Sequence, residues 1–281
     1  MKFHRIKVKQ IKKLCCMDNN SLQKYLIQTL SSFGYKNIIS NDFYTIAEGK
    51  IPICLIAHID TVFIHPPHIE NFLFDSQKQI LWNPKGSGFD DRAGIWAILE
   101  LLKYGFRPHI IFTNYEEQGG IGSHQLIADF NKIPFENCKA LIQLDRANEK
   151  DMVFYNCINQ DFEKYIGKYG FNYAEGTFTD ISILVPAWKI VGVNVSVGYV
   201  NEHSILEMLH INWFIDTIHK ISAILYDIDK MPYFEYKTYT KIIDFKHCLI
   251  CGNSNNLINV IDEGINFCLC ETCYNQCYGH L

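Results

Sequence analysis

No stretch of the 281-residue chain approaches the run of about 18 apolar residues that a membrane-spanning helix requires. Excess charge is missing as well. The 26 Lys and Arg against 30 Asp and Glu leave a net charge of −4, so no overall basic field marks a nucleic-acid binder. The opening MKFHRIKVKQIKK is basic, but the apolar run of a secretory signal does not follow it. A cytoplasmic location is therefore expected. Internal repeats and low-complexity tracts are absent too.

Apolar residues are plentiful at 48 %, enough for one large α/β domain with a small appendage. Cysteine is also abundant, at 11 residues. Cys248, Cys251, Cys268, Cys270, Cys273 and Cys277 crowd the last 34 positions, while Cys15, Cys16, Cys54, Cys138 and Cys157 are scattered among apolar neighbours. Clustering at one end, without a secretory signal, argues for metal binding rather than a disulfide framework.

Between residues 50 and 205, short apolar runs alternate with helical patterns. Strands are expected at 51–60, 109–117, 138–146, 151–157 and 189–200, and helices at 91–105, 120–130, 159–170 and 204–228. A further helix is expected over 21–35, with Ser21 as its N-cap. This alternation predicts an α/β fold: a mixed, mostly parallel sheet sandwiched by helices. The polar–aromatic segment 231–244 breaks the pattern. The expected division is a main domain at 1–230, a connector at 231–244 and a small cysteine-rich unit at 245–281.

Candidate ligands fall at or just beyond expected strand ends. His58 closes the first strand, Glu117 the second and Asp145 the third, Asp90 precedes a helix, and His203 follows the strand at 189–200. The steps between His58, Asp90, Glu117, Asp145 and His203 are 32, 27, 28 and 58 residues, and a βα unit occupies roughly 30. The carboxyl ends of strands in an open α/β sheet border its binding crevice, so these residues can converge. Imidazole and carboxylate suit zinc, and one bridging carboxylate can hold two ions about 3.5–4 Å apart. Asp151 competes with Asp145 for its place, and His210 with His203. Arg92 and Arg146 suit either a substrate carboxylate or structural ion pairs. His65 and His68 read as surface histidines and Cys54 as core.

AHIDTV (57–62), GSGFDDRAG (86–94), YEEQGGIGS (115–123), LDR (144–146) and NEHS (201–204) resemble, in order, the motifs of the co-catalytic two-zinc exopeptidases and deacylases. The resemblance implies that Asp90 bridges two zinc ions, with His58 and Asp145 completing one site and Glu117 and His203 the other. It implies a cis peptide bond between Asp90 and Asp91. It makes Glu116 the general base that takes a proton from the attacking water and passes it to the leaving amine. Asp60, two residues after His58 on the same side of the strand, is placed to accept the free imidazole N–H. The gaps of 32 and 58 residues leave no room for the inserted domains of larger relatives, so the chain most resembles the compact zinc aminopeptidases.

Cys248-Leu-Ile-Cys251 and Cys270-Glu-Thr-Cys273 have the spacing of a four-cysteine zinc ribbon, with Cys268 and Cys277 left as alternative ligands. The expected cofactors are two catalytic zinc ions and one structural ion in the tail. The expected reaction is hydrolysis of a peptide or N-acyl amide bond, in the aminopeptidase manner. The alternative is a non-catalytic peptide-binding module that kept the fold, with the ribbon as adaptor to a protein or nucleic acid. No membrane partner is expected.

Overall fold

A computed structural model describes residues 7–238, 241–242, 247–248, 250–262 and 265–278. The chain begins with helices α1 (Lys9–Cys15) and α2 (Asn19–Ser32) and strands β1 (Ile38–Ser40), β2 (Tyr44–Ala47) and β3 (Ile51–His58). Then come β4 (Leu73–Asp75), β5 (Ile80–Trp82), α3 (Phe89–Lys103), β6 (Pro108–Thr113), α4 (Ile121–Asp129), β7 (Ala140–Arg146) and β8 (Asp151–Val153). The main body continues through α5 (Gln160–Gly167), β9 (Asn172–Tyr173), α6 (Asp180–Trp188), β10 (Gly192–Ser196), β11 (Tyr199–Val200), β12 (Met208–His210) and α7 (Ile211–Tyr226).

Eight strands form one sheet in the order β1-β2-β6-β3-β7-β10-β8-β9. Its centre, β6-β3-β7-β10, is parallel, and β1, β2 and β8 enter by antiparallel pairing. This is the mixed, mostly parallel sheet that the sequence predicts. Ile53 to His58 of β3 are all buried, as a strand covered on both faces must be. From β3 the chain runs to β6 on one side, then crosses to β7 on the other. Such a reversal of strand order opens a crevice above the strands' carboxyl ends.

Helix α3 covers one face and is buried from Phe89 to Leu102. Trp96 stacks on Phe214 of α7 at 4.1 Å. A side chain at Gly94 would meet the Leu144 carbonyl at 2.0 Å, so only glycine lets α3 lie this close to β7. No helix among the described residues is long and apolar enough to cross a membrane.

Several expected boundaries shift. The N-cap of α2 is Asp18 rather than Ser21: the Asp18 carboxylate accepts from Ser21 N at 2.8 Å, a cap contributing about 1 kcal/mol. The strand expected over 109–117 ends at Thr113, because Tyr115 takes a positive φ of 62° and a single 3-10 turn holds Glu116–Gln118. The strand expected over 189–200 divides at Gly198, whose φ is 95°, into β10 and β11 of different sheets. The helix expected over 204–228 begins only at Ile211, because Met208–His210 pairs with β5 in a four-stranded antiparallel sheet, β11-β12-β5-β4. Helices α1 and α6 were unmarked in the sequence reading.

The main core also extends past residue 230. Met231 and Phe234 belong to it, and Phe234 packs on Phe162 and Tyr165 of α5. The first half of the expected connector is thus a strap on the main body. Its expected end at 243–244, and the tail's first residues 245–246, lie outside the described residues. Beyond them β13 (Lys241–Ile242), β14 (Leu257–Asp262) and β15 (Ile265–Cys270) form a three-stranded sheet, followed by α8 (Glu271–Tyr278). Cys248, Val260, Leu269, Cys270 and Cys273 make a small core of their own.

Candidate metal centre

The five proposed ligands, far apart in sequence, meet above the crevice. His58 closes β3, Asp90 sits in the first turn of α3, Glu117 follows β6, Asp145 lies near the end of β7, and His203 follows β11. His58 Nε2 lies 3.1 Å from Asp90 Oδ1 and 3.4 Å from Asp145 Oδ1. His203 Nε2 lies 3.1 Å from both Asp90 Oδ2 and Glu117 Oε2. Asp90 therefore offers one oxygen to each of two three-residue groups, His58–Asp90–Asp145 and Asp90–Glu117–His203. The Asp90–Asp91 peptide bond is cis, as the resemblance implies.

Glu116 lies beside the centre but outside both groups of three. Its Oε2 is 4.0 Å from His58 Nε2, and its side chain is nearly buried. Asp60 does more than sequence reasoning assigned it. Its Oδ1 lies 3.3 Å from His58 Nδ1, short of hydrogen-bond geometry, while its two oxygens accept from Glu116 N at 3.0 Å and Glu117 N at 3.1 Å. One carboxylate thus ties the end of β3 to the turn that carries both glutamates. Gly119 and Gly120, with φ of 85° and 70°, let the chain leave that turn for α4.

The surroundings of Asp145 were not legible in the sequence. Its Oδ2 accepts from Thr179 Oγ1 at 2.7 Å and from Gln143 Nε2 at 3.0 Å, and its Oδ1 from Tyr199 OH at 3.1 Å. Behind it, buried Asp180 accepts from Thr113 and Ser123, both at 2.6 Å. Asp91 is also buried; it accepts from His58 N and Gly94 N. Glu207, wholly buried, accepts from Gly88 N at 2.6 Å and Asp90 N at 2.9 Å. It lies in an apolar stretch that read as helix, so nothing in the sequence singled it out.

The competing candidates lie elsewhere. Asp151 sits 3.6 Å from Arg146, and His210 stacks on Trp213 at 3.8 Å. Buried Arg92 donates to Leu14 O and Asn19 Oδ1. His65 and His68 are exposed, and Cys54 is in the core.

Electrostatics decide what the centre can hold. Among the described residues no Lys or Arg ion-pairs with Asp60, Asp90, Glu116, Glu117 or Asp145. So many carboxylates at this spacing cannot all ionise without a cation or protons between them. Burial pushes Glu116 up to about 9, helped by Asp145, Asp180 and Glu117. Burial likewise lifts Glu117 to about 7, with Asp90 adding to it, and Asp145 to about 6. The hydrogen bond to Asp90 raises His203 to about 9. Burial also pushes Asp90 up, but hydrogen bonds from His203 and His58 outweigh it and hold this carboxyl below its usual range. A buried Glu117 oxygen, Oε1, has no partner in the protein. Two imidazoles and three carboxylates, split by Asp90 into two sets of three, fit two divalent cations, whose binding would displace these protons.

In the tail, the Sγ atoms of Cys248, Cys251, Cys270 and Cys273 all lie within 4.8 Å of one another. Cys268 instead donates to Asn259 Oδ1, and Cys277 is exposed. The structure therefore brings together the preferred four cysteines and leaves out both alternatives.

Comparison with known proteins agrees with this geometry. Residues 45–182 match the model of Peptidase family M28. That span includes four of the five proposed ligands and stops before His203. Aminopeptidase PepT from Bacillus cereus superposes with a TM-score of 0.62 at 13 % identity, covering 79 % of this chain and 98 % of that one. A tripeptidase from Staphylococcus aureus gives 0.65 at 12 %, covering 80 % and 98 %. An aminopeptidase from the archaeon Desulfurococcus kamchatkensis gives 0.58 at 12 %, covering 86 % and 98 %. No curated protein matches the chain significantly. The fold is a metallopeptidase fold of the aminopeptidase kind, and the resemblance read from the five motifs is borne out.

Proposed function

We propose that the chain is a zinc-dependent hydrolase that cleaves a peptide bond in the aminopeptidase manner, with an N-acyl amide as the other substrate class its centre suits. The observation that supports it most is the division of Asp90 between two ligand sets, with Glu116 held beside them and committed to neither. A binding module would have no use for such a base.

His58, Asp90 and Asp145 would hold one ion, and Asp90, Glu117 and His203 the other. Two such cations would acidify water, polarise the scissile carbonyl and bring the Glu116 carboxyl down from about 9 into a range where it ionises. Glu116 then accepts a proton from the attacking water and delivers it to the departing amine. Asp60 holds the Glu116–Glu117 turn in register with His58, so base and ligand stay fixed relative to one another. Thr179, Gln143 and Tyr199 orient the Asp145 carboxylate and leave it little freedom to rotate away. A panel of aminoacyl and N-acyl chromogenic substrates, assayed with added zinc, cobalt or manganese, tests this reading. Metal-stimulated release from an aminoacyl substrate is the expected result. Inactivity on the whole panel with every metal would contradict it.

The four tail cysteines are proposed to hold one structural zinc, for a total of three ions. Gly252 N bonds back to Cys248 O at 2.9 Å, which makes a tight turn of the first pair. The second pair joins the end of β15 to the first turn of α8. With a core this small, the ion contributes much of the unit's folding energy. The unit is proposed to serve as an adaptor for a partner. Truncation after residue 238, which spares the Phe234 strap, should leave a folded hydrolase that has lost one zinc of three and keeps its turnover on small substrates. Elemental analysis and assay of the same sample check this. Loss of the centre's ions on truncation would show that the two parts fold as one.

A further inference from the structure

We propose that Glu207 is a positioning residue that joins two ligand-bearing segments and thereby sets the affinity of the ion held by Asp90, Glu117 and His203. The inference rests on the two-ion reading of the centre. Glu207 is entirely buried, and each of its carboxylate oxygens accepts one backbone N–H from the turn that carries Asp90: Gly88 N at 2.6 Å and Asp90 N at 2.9 Å. Its carbonyl accepts from Ser87 Oγ at 3.0 Å, and that hydroxyl accepts in turn from Asn83 N at 3.0 Å. The segment 83–90 is thus held along its length by a single residue from 120 positions downstream.

The other end of this strut is His203. The loop between them closes on itself: Ser204 Oγ donates to Asn201 O at 2.7 Å, Leu206 N donates to Ser204 Oγ, and Glu207 N donates to Ser204 O. A displacement of Glu207 therefore carries His203 with it. His203 needs such a tether, because its side chain is 53 % exposed and touches the centre only through Asp90 and Glu117. The companion set is fixed independently. His58 ends a buried strand, and three side-chain donors hold Asp145. Two backbone N–H bonds to one buried carboxylate are charge-assisted and strong for their kind. Losing them should loosen one ion site far more than the other.

The test is titration of metal-stripped full-length protein with cobalt, comparing the parent with Glu207→Gln and Glu207→Ala. Thiolate-to-cobalt absorption reports the tail site separately from the centre. The expected result is one centre ion weakened by tenfold or more in Glu207→Ala and by less in Glu207→Gln, with the other ion and the tail ion unchanged. The isosteric glutamine, which keeps one acceptor oxygen, serves as the test should the alanine variant fail to fold. Parental affinity for both centre ions in a folded Glu207→Gln variant, or equal weakening of both, would overturn the proposal. A parent that takes up no cobalt outside the tail would instead overturn the two-ion reading, and this inference with it.

Discussion

Glu116→Gln is expected to keep both centre ions bound while turnover falls by about 10²–10⁴-fold, the usual contribution of a positioned general base. Glutamine preserves the shape of a side chain that is 8 % exposed, and its amide can still occupy the space beside His58. What it cannot do is accept a proton from water and hand it on. Neither ligand set includes Glu116, so metal content should not change. Elemental analysis and steady-state kinetics on the same preparation separate the two effects. Parental turnover would remove Glu116 from the mechanism. Loss of metal would make it a ligand.

Asp90→Ala should do the reverse and abolish the centre. One carboxylate serves both sets through separate oxygens, 3.1 Å from His58 Nε2 and 3.1 Å from His203 Nε2. Its removal takes a charged ligand from each ion at once. Outer partners of metal ligands are worth about 10–100-fold in affinity, and a shared inner carboxylate should exceed that for both ions. The expected product is a folded chain that retains only the tail ion and has no measurable turnover. The fold should survive because the backbone N–H bonds from residues 88 and 90 to Glu207 do not involve the Asp90 side chain. Two ions remaining at the centre of this variant would show that Asp90 does not bridge.

The ligands were legible because an α/β sheet puts chemistry in a predictable place. Short apolar strands such as 51–58 announce themselves, and polar residues at their carboxyl ends stand out against them. His58 and Asp60 share a face by simple alternation, so their proximity could be read directly. The supporting network was not legible, for equally physical reasons. Thr179 and Asp180 precede a helix whose Pro186 conceals it, and Gln143 is a single polar residue in a buried strand. Glu207 sits in Ile-Leu-Glu-Met-Leu, where spacing suggests one face of a helix. Only the pairing of Leu209 with Leu81 across β12 and β5 makes that stretch a strand and turns the glutamate inward. The dual use of Asp60 depended on Tyr115, whose positive φ ends β6 early and folds both glutamate N–H groups back over β3. No local pattern specifies that turn.

Anomalous diffraction at the zinc edge, on crystals of the full chain grown with zinc, tests the two-ion centre most directly. The account predicts two peaks about 3.5–4 Å apart on either side of the Asp90 carboxylate, one bounded by His58 and Asp145 and the other by Glu117 and His203. A third is predicted among Cys248, Cys251, Cys270 and Cys273. A single peak among the cysteines, with none beside Asp90 in a preparation that hydrolyses peptides, would contradict it.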